Sequence, residues 1–319
     1  MKQRRLGSTG PEIAPIVLGG NVFGWTLDES GAFRQFERAL ERGFNAIDTA
    51  DFYTAWIPGH HGGESETVIG DWIAKTHRRS ELFLATKVGQ KMGEGRSGLS
   101  ARYIAQAVED SLRRLRTDYI DLYQTHLDDP DTSLEETLGA FDKLIKAGKV
   151  RYIGASNYGG ARLAEAMEIS RGNSLTGFVS LQPKYNLLER NRFESELLPV
   201  VKRYGLGVIP YYSLAAGFLT GKYRRGDPAP QGARAKTVEK YLNDRGWGIV
   251  EELAAVAAEH NSKPGIVALA WLMSQPGVTA PIASATSDAQ LEELFAAVEL
   301  KLDITSIQRL KRVSAPEAA

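Results

Sequence analysis

Four ionisable side chains lie close to the ends of short apolar segments, and together they can move a proton. They are Asp48, Tyr53, Lys87 and His126. A tyrosine hydroxyl has a pKa of about 10, and a nearby ammonium such as that of Lys87 lowers it by favouring the phenolate. Asp48 would hold Lys87 charged, because a buried lysine is costly unless it is paired. With His126 donating a hydrogen bond to a substrate oxygen, such a set can protonate that oxygen as negative charge builds on it, which carbonyl reduction requires.

Eight short segments supply the strands that we expect to position these residues. Each is almost continuously apolar, which is typical of a parallel strand covered on both faces. They span 16–19, 45–49, 82–87, 119–126, 150–156, 178–182, 207–211 and 279–284. Amphipathic segments lie between them, as in the helical stripe of Ile104, Val108 and Leu112. Eight strand-then-helix units predict an α/β fold of the (β/α)8 TIM barrel type, in which chemistry gathers at the carboxyl ends of the strands.

Other segments lie outside the eight units. A turn at 8–11 predicts an N-terminal β-hairpin within residues 1–15, and the helical patterns near the C terminus outnumber those that the barrel needs. The longest polar loop, rich in proline and glycine, spans 223–232. Because no linker divides the chain, we expect residues 1–319 to form a single domain. A doubly wound α/β sheet is the alternative fold at this length.

Composition excludes several classes of function. Lys and Arg number 39, as do Asp and Glu, so nothing in the charge favours nucleic acid or an anionic membrane as a partner. The chain has no cysteine, which rules out a disulfide scaffold, an iron–sulfur cluster and a cysteine nucleophile. No apolar run approaches the roughly 18 residues of a membrane span, and the basic start lacks the apolar stretch of a secretory signal. We expect a cytoplasmic protein, whose oligomeric state the sequence does not determine.

Six motifs follow one another along the chain. They are DTADFY at 48–53, TK at 86–87, DLYQTH at 121–126, GASN at 154–157, QPKYN at 182–186 and GFLTGKY at 217–223. With them the sequence resembles the aldo-keto reductase family from about residue 16 to 300. GHHGGESE at 59–66 and GFLTGKY look most like the bacterial branch related to potassium-channel β subunits. The resemblance implies a TIM barrel that reduces an aldehyde or ketone to an alcohol with NAD(P)H.

The resemblance also assigns a role to each of the four ionisable residues. Tyr53 would donate the proton after a hydride leaves C4 of the nicotinamide. Lys87 and Asp48 would be the pair that lowers the pKa of the tyrosine, and His126 would orient the substrate. The resemblance implies no metal.

Further residues would surround the cofactor by the same resemblance. Ser156, Asn157 and Gln182 would hold the nicotinamide carboxamide, and Tyr211 would stack on the nicotinamide ring. The remaining positions are Gly20 and Asn21 beside the cofactor, Ser213, Leu214, Gly217 and Lys222 at the pyrophosphate, and Ser284, Thr286, Gln290 and Glu293 at the adenosine end.

The choice between NADPH and NADH rests on the adenosine end. Many family members carry Lys or Arg there to pair with the 2′-phosphate of NADPH. Residues 283–288 read ASATSD, and no cation follows before Lys301. The resemblance favours NADPH, since hydroxyls and a glutamine can bind a phosphate, and NADH stays as the alternative.

Three features have competing interpretations. Trp25 and Trp56, in loops after the first two strands, are candidates for an aromatic substrate wall or for ordinary loop packing. The G-x-G-x-x-G pattern at 93–98 would suit a Rossmann dehydrogenase, but it begins six positions after Lys87, so we interpret it as a flexible loop. The whole protein could instead be a nucleotide-sensing regulatory or interaction subunit of the channel-β type.

Overall fold

A closed barrel of parallel strands forms the centre of the molecule in the computed structural model, which describes residues 2–227 and 235–316. The strands are β3 (Val17–Gly19), β4 (Ala46–Asp48), β5 (Phe83–Val88), β6 (Ile120–Thr125), β7 (Val150–Ser156), β8 (Ser180–Gln182), β9 (Gly207–Val208) and β10 (Ile282–Ala283). Their spatial order is β10-β3-β4-β5-β6-β7-β8-β9, and every neighbouring pair is parallel. The amides of Thr279 and Ile282 donate to the carbonyls of Val208 and Pro210, which joins β9 to the β10 segment.

The predicted fold class is therefore confirmed, and the doubly wound alternative is wrong. All eight predicted strands are present, but those predicted at 207–211 and 279–284 are shorter than expected. Pro210 and Pro281 lie in the missing parts. A proline has no amide hydrogen and cannot donate to a strand ladder, so regular pairing stops beside it. Part of the predicted polar loop, residues 228–232, lies outside the described residues.

Helices cover the outside of the barrel. They are α1 (Glu29–Glu41), α2 (Glu64–Thr76), α3 (Ala101–Leu115), α4 (Leu134–Lys146), α5 (Gly160–Gly172), α6 (Leu198–Tyr204), α7 (Ala235–Val238), α8 (Asp244–Glu259), α9 (Pro264–Met273), α10 (Asp288–Glu299) and α11 (Ile304–Val313). In α3 the side chain of Ser100 caps the first turn, and Ile104, Val108 and Leu112 are buried against the sheet, as their spacing predicts. Among the described residues, three helices lie between β9 and β10 and two follow β10, where the barrel needs one each, so three of these five are the extra helices expected near the C terminus.

A short hairpin closes the amino ends of the strands. Its strands β1 (Arg4–Arg5) and β2 (Glu12–Ile13) are antiparallel, as predicted. Leu6 and Ile13 are fully buried, and the amide of Ser8 donates to the carbonyl of Gly205 just before β9. The opposite rim, where the strands end, is left for chemistry. None of the helices in the described residues is both long and apolar enough to cross a membrane.

Candidate active site

Neighbouring strands bring the predicted proton-transfer residues to one rim of the barrel. Asp48 is the last residue of β4, Lys87 is the last but one of β5, and His126 directly follows β6. Tyr53 comes five positions after Asp48, in the turn that leaves β4. Because all the strands run the same way, their carboxyl ends meet on the same side.

Asp48, Lys87 and Tyr53 are in direct contact. Lys87 Nζ lies 2.6 Å from Asp48 Oδ2 and 2.7 Å from the Tyr53 hydroxyl, and it also donates to the carbonyl of Thr49 at 2.8 Å. The Tyr53 hydroxyl donates to Asp48 Oδ2 at 3.1 Å. Asp48 and Lys87 have no exposed surface. The ammonium therefore uses its three protons inside the protein, and it is held against the oxygen of the phenol.

Burial is the largest influence on the pKa values of Tyr53 and Lys87, whereas the sequence analysis considered only the neighbouring charges. Burial, followed by the charge of Asp48, raises the pKa of Tyr53 well above its usual value. Burial also lowers the pKa of Lys87, although Asp48 opposes that effect. The expected lowering of the phenol pKa is thus not met, because desolvation disfavours every charged form. Tyr53 keeps its proton at neutral pH, which is the state that a proton donor requires.

His126 stands beside the phenol as a neutral imidazole. The ring centroids of Tyr53 and His126 are 5.9 Å apart. Burial, with a smaller effect from Lys87, lowers the pKa of His126 well below its ordinary value. Its Nδ1 is buried without a hydrogen-bond partner, so a proton on Nε2 avoids an unpaired buried N–H at Nδ1.

Aromatic rings flank the phenol on the outer side. The indole rings of Trp25 and Trp56 meet edge to face at 5.9 Å between centroids, and Trp56 lies 6.2 Å from the Tyr53 ring. Phe52, which the sequence analysis did not single out, contacts both Trp56 and His126. Trp56 remains 43% exposed. The two tryptophans thus form one aromatic cluster beside Tyr53.

The four residues predicted to hold the nicotinamide lie together at the ends of β7, β8 and β9. The Tyr211 hydroxyl donates to Asn157 Oδ1 at 2.7 Å, which fixes the orientation of the tyrosine ring. Asn157 Nδ2 donates to the carbonyl of His126, and Ser156 Oγ donates to the carbonyl of Gln182. Gln182 Nε2 donates to Asp48 at 2.8 Å, a link to the proton-transfer trio that the sequence did not reveal.

The turn after β9 carries the predicted pyrophosphate residues Leu214, Gly217 and Lys222. Gly217 has φ +93°, and a Cβ added there would lie 3.1 Å from Lys222 Nζ, so a glycine keeps this turn open beside the lysine. The buried hydroxyl of Ser213, also predicted at the pyrophosphate, donates to the carbonyl of Ile282 at 2.7 Å. The side chain of Ser213 therefore links the turn after β9 to β10.

The predicted adenosine residues cluster at the end of β10. Ser284 Oγ donates to Asn21 Oδ1 at 2.7 Å, and the Gln290 side chain accepts from the amide of Thr286 at 2.8 Å. Gly20, predicted beside the cofactor, lies next to the end of β4, where a Cβ would come within 2.9 Å of the Asp48 carbonyl.

A cation that the sequence analysis missed reaches this end of the site. Lys263, the residue before α9, places its Nζ 2.7 Å from Glu293. The next residue, Pro264, lies against Gly221, so this segment also borders the turn that carries Lys222. Thirty positions separate Lys263 from Glu293, so no local pattern in the sequence could have revealed the pair.

Strained backbone marks the same rim. Nine non-glycine residues in the described part of the chain have a left-handed φ. Four of them are His77, Arg116, Ser174 and Asn261, which lie at the ends of helices, where this conformation is common. The others are Thr54, Asn157, Tyr212, Ala215 and Ala216, and all of them follow the carboxyl ends of strands. Such conformations persist where surrounding structure holds a functional geometry in place.

The glycine pattern at 93–98 is not a dinucleotide fingerprint in this fold. Met92 and Arg96 bond to each other through both backbone and side chain, which closes the segment on itself. The segment connects a barrel strand to α3, not the first strand of a Rossmann sheet to its helix. The Rossmann interpretation is therefore wrong.

Asp51 is a buried carboxyl near the site for which the sequence predicted no role. It is 3% exposed, and its Oδ1 has no hydrogen-bond partner. Burial, together with the nearby charge of Glu66, raises its pKa to about 8. The unfolded chain releases this proton near pH 4. Stability therefore falls as the pH rises from about 4 to 8, because the folded state holds a proton that the unfolded state has lost.

Replacing Asp51 with asparagine should remove this pH dependence while keeping the shape. We expect the free energy of unfolding of Asp51→Asn, relative to that of wild type, to increase by roughly 2–4 kcal/mol from pH 5 to pH 8. Urea unfolding at both pH values measures the change. Asp142→Asn is the control, because hydrogen bonds with Lys146 and Thr176 lower the pKa of Asp142 and its effect should be constant over this range. An Asp51→Asn effect equally independent of pH would contradict the assignment.

Comparison with known proteins agrees with the geometry. The model of the Aldo/keto reductase family matches residues 15–315. The Bacillus subtilis protein named uncharacterized oxidoreductase YrpG is 36% identical over 321 residues, which cover 98% of this chain and 96% of YrpG. Protein tas of Escherichia coli is 31% identical, covering 98% of this chain and 97% of its own length. A probable voltage-gated potassium channel subunit beta of Oryza sativa subsp. japonica is 32% identical, covering 94% and 92%.

These matches extend over nearly the whole chain and agree with a barrel whose buried Lys87 contacts both Asp48 and Tyr53. They explain why six short motifs occur in one order along the sequence. The chain belongs to the aldo/keto reductase family of NAD(P)H-dependent oxidoreductases.

Proposed function

We propose that the protein reduces an aldehyde or ketone to an alcohol with NADPH, and that Tyr53 donates the proton. The observation that carries this proposal is the buried ammonium of Lys87, which lies 2.7 Å from the Tyr53 hydroxyl and 2.6 Å from Asp48. An acid protonates a developing alkoxide best when the charge that remains on the acid is stabilised in place. Lys87 is positioned to do this for the phenolate of Tyr53.

The residues on the rim fit a nicotinamide cofactor. Gln182 Nε2 donates to Asp48 and to Gln124 Oε1, which leaves Gln182 Oε1 to accept a hydrogen bond from a carboxamide. The Tyr211 ring is held by Asn157 and can stack on a planar heterocycle. The Gly217 turn beside Lys222 has the open backbone and the cation that suit a pyrophosphate. When bound, the cofactor supplies the hydride.

The protein residues then bind and protonate the oxygen of the carbonyl group. His126 Nε2 donates a hydrogen bond to that oxygen and sets the angle of the substrate. As negative charge develops, the Tyr53 hydroxyl gives its proton to the oxygen, and Lys87 keeps its hydrogen bond to the phenolate that remains. Asp48 keeps Lys87 charged against the cost of burial. Trp25 and Trp56 cover the outer side, which favours a substrate with an apolar group next to its carbonyl.

The preference for NADPH rests on Lys263, the cation that reaches the adenosine end from α9. We expect Lys263→Met to raise the Kd for NADPH about tenfold and to leave the Kd for NADH unchanged, since a charged contact to a phosphate is worth about 1.4 kcal/mol or more. Fluorescence titration of the five tryptophans with each cofactor measures both constants. Lys301→Met, at an exposed lysine, is the control. A variant that weakens both cofactors equally contradicts the assignment, and a wild type that prefers NADH favours the alternative cofactor.

The function itself is tested by a panel of aldehydes and ketones with each cofactor, followed by the absorbance of the reduced nicotinamide. Oxidation of NADPH that depends on the carbonyl supports the proposal. A second candidate, a nucleotide-sensing subunit, is favoured by the relatives named as potassium channel β subunits. It predicts cofactor binding without turnover of any carbonyl in the panel, so one panel and one titration separate the two functions.

A further inference from the structure

We propose that Gln124 is a positioning residue that holds the Asp48 carboxylate in the orientation needed by the proton donor. The inference rests on the proposed function, and it gives a role to a residue that none of the assignments above includes. Gln124 is the last residue but one of β6, and it is completely buried. Its register partner on the neighbouring strand is Lys87, so its amide lies in the same layer of the barrel interior.

The two oxygens of Asp48 serve different partners. Oδ2 accepts from Lys87 and from Tyr53, as described above. Oδ1 accepts from Gln182 Nε2 at 2.8 Å and from Gln124 Nε2 at 3.2 Å. Gln182 Nε2 also lies 3.2 Å from Gln124 Oε1, so the two amides are bonded to each other as well. The carboxylate is therefore held from both sides and cannot rotate without breaking bonds to one pair of partners.

A glycine on the neighbouring strand β7, Gly154, lies beside the Gln124 side chain. Gly154 of β7 is the register partner of Gln124. A Cβ added at Gly154 would lie 3.3 Å from Gln124 Cγ and 2.5 Å from Ser180 Oγ. A side chain at position 154 would therefore clash with Ser180 and also press on Gln124. A glycine in the middle of a strand otherwise weakens it, and here it leaves room for both Ser180 and Gln124.

A neutral amide suits this position for an electrostatic reason. Asp48 already has one ammonium partner, and a second cation would compete with Lys87 for the same charge. A glutamine supplies an N–H to the carboxylate without adding charge, and hydrogen bonds to an ionised acceptor are the strong ones. Loss of the Gln124 bond makes the ionised carboxylate less stable. The carboxylate would then be free to turn, and Lys87 and the Tyr53 hydroxyl would lose their fixed orientation on Oδ2.

The first experiment compares Gln124→Met with wild type across pH. We expect kcat to fall about tenfold at pH 7, while the KM for the carbonyl and the Kd for NADPH stay within about twofold of wild type. Gln124→Glu keeps the size of the side chain but can donate only when protonated, so its kcat should decline as the pH rises. Gln275→Met, which removes an amide that donates to a backbone carbonyl far from the site, should leave all of these values unchanged.

A second measurement does not depend on turnover. Urea unfolding of Gln124→Met, Asp48→Asn and the double variant at pH 7 gives the coupling between the two side chains. We expect the loss of stability from Gln124→Met to be at least halved when residue 48 is asparagine, because the bond to a neutral acceptor is weaker. An undiminished loss, or a kcat of Gln124→Met within about twofold of wild type, overturns the inference. Absence of any carbonyl reduction by wild type would refute the proposed function instead, while the coupling still tests the role of Gln124.

Discussion

Tyr53→Phe should reduce kcat for carbonyl reduction by about a thousandfold while leaving the Kd for NADPH within twofold of wild type. General acid catalysis by a positioned side chain contributes about 10²–10⁴ in rate, and the variant removes only the atom that carries the proton. The hydroxyl contacts Lys87 and Asp48, which remain paired through their own bond at 2.6 Å. The variant should still fold, at a cost of roughly 1–3 kcal/mol because Lys87 loses one buried hydrogen bond, and the loss of activity should lie in kcat.

The measurement combines steady-state kinetics with fluorescence titration and urea unfolding on the same preparations. Tyr212→Phe is the matched control, because Tyr212 is an exposed tyrosine on the same rim, next to the ring expected to stack on the nicotinamide. It should keep wild-type turnover. If Tyr53→Phe instead turns over within threefold of wild type, another group supplies the proton and the proposed role of Tyr53 is wrong.

The pH profile gives an independent check on the donor. Because burial and Asp48 raise the pKa of Tyr53, the phenol stays protonated through the neutral and mildly alkaline range. We therefore expect no loss of reduction near pH 10 of the kind that ionisation of a free phenol would cause. His126, whose pKa is lowered well below its ordinary value, is likewise neutral over the same range.

The sequence allowed the strands and the location of the site to be predicted because both follow from local rules. Apolar runs of the right length predict buried parallel strands, and polar residues such as Asp48 and Lys87 at their ends then fall on one rim. Strand β7 begins and ends at the residues predicted for it, Val150 and Ser156. The ends of β9 and β10 do not, since the prolines beside them interrupt pairing.

Contacts between distant strands could not be predicted in the same way. Asp48 and Gln182 are 134 positions apart, and their bond depends on how the barrel closes and on which way each side chain points inside it. The Lys263–Glu293 pair likewise depends on the packing of α9 against α10. The pKa of Tyr53 was predicted in the wrong direction because a list of neighbouring charges carries no information about burial. These contacts and this burial form only when the barrel has closed.

Lys87→Met should abolish measurable turnover and lower the free energy of unfolding by roughly 3–5 kcal/mol, the cost of leaving one member of a buried ion pair without its partner. Neither Lys87 nor Asp48 has exposed surface, so water cannot replace the lost ammonium. Lys149→Met is the control for loss of a lysine charge. It breaks the surface pair with Glu109, in which both side chains are well exposed, and should cost at most about 1 kcal/mol.

The double variant Asp48→Asn with Lys87→Met separates the structural from the chemical role of the pair. Asparagine is neutral and can still accept from Gln124 and Gln182 through its side-chain oxygen, so the double variant should regain most of the stability that Lys87→Met loses. It should not regain turnover, since no ammonium then stabilises the phenolate of Tyr53. Recovery of turnover together with stability would mean that the pair serves only to fold the barrel, and the proton would have to be managed without Lys87.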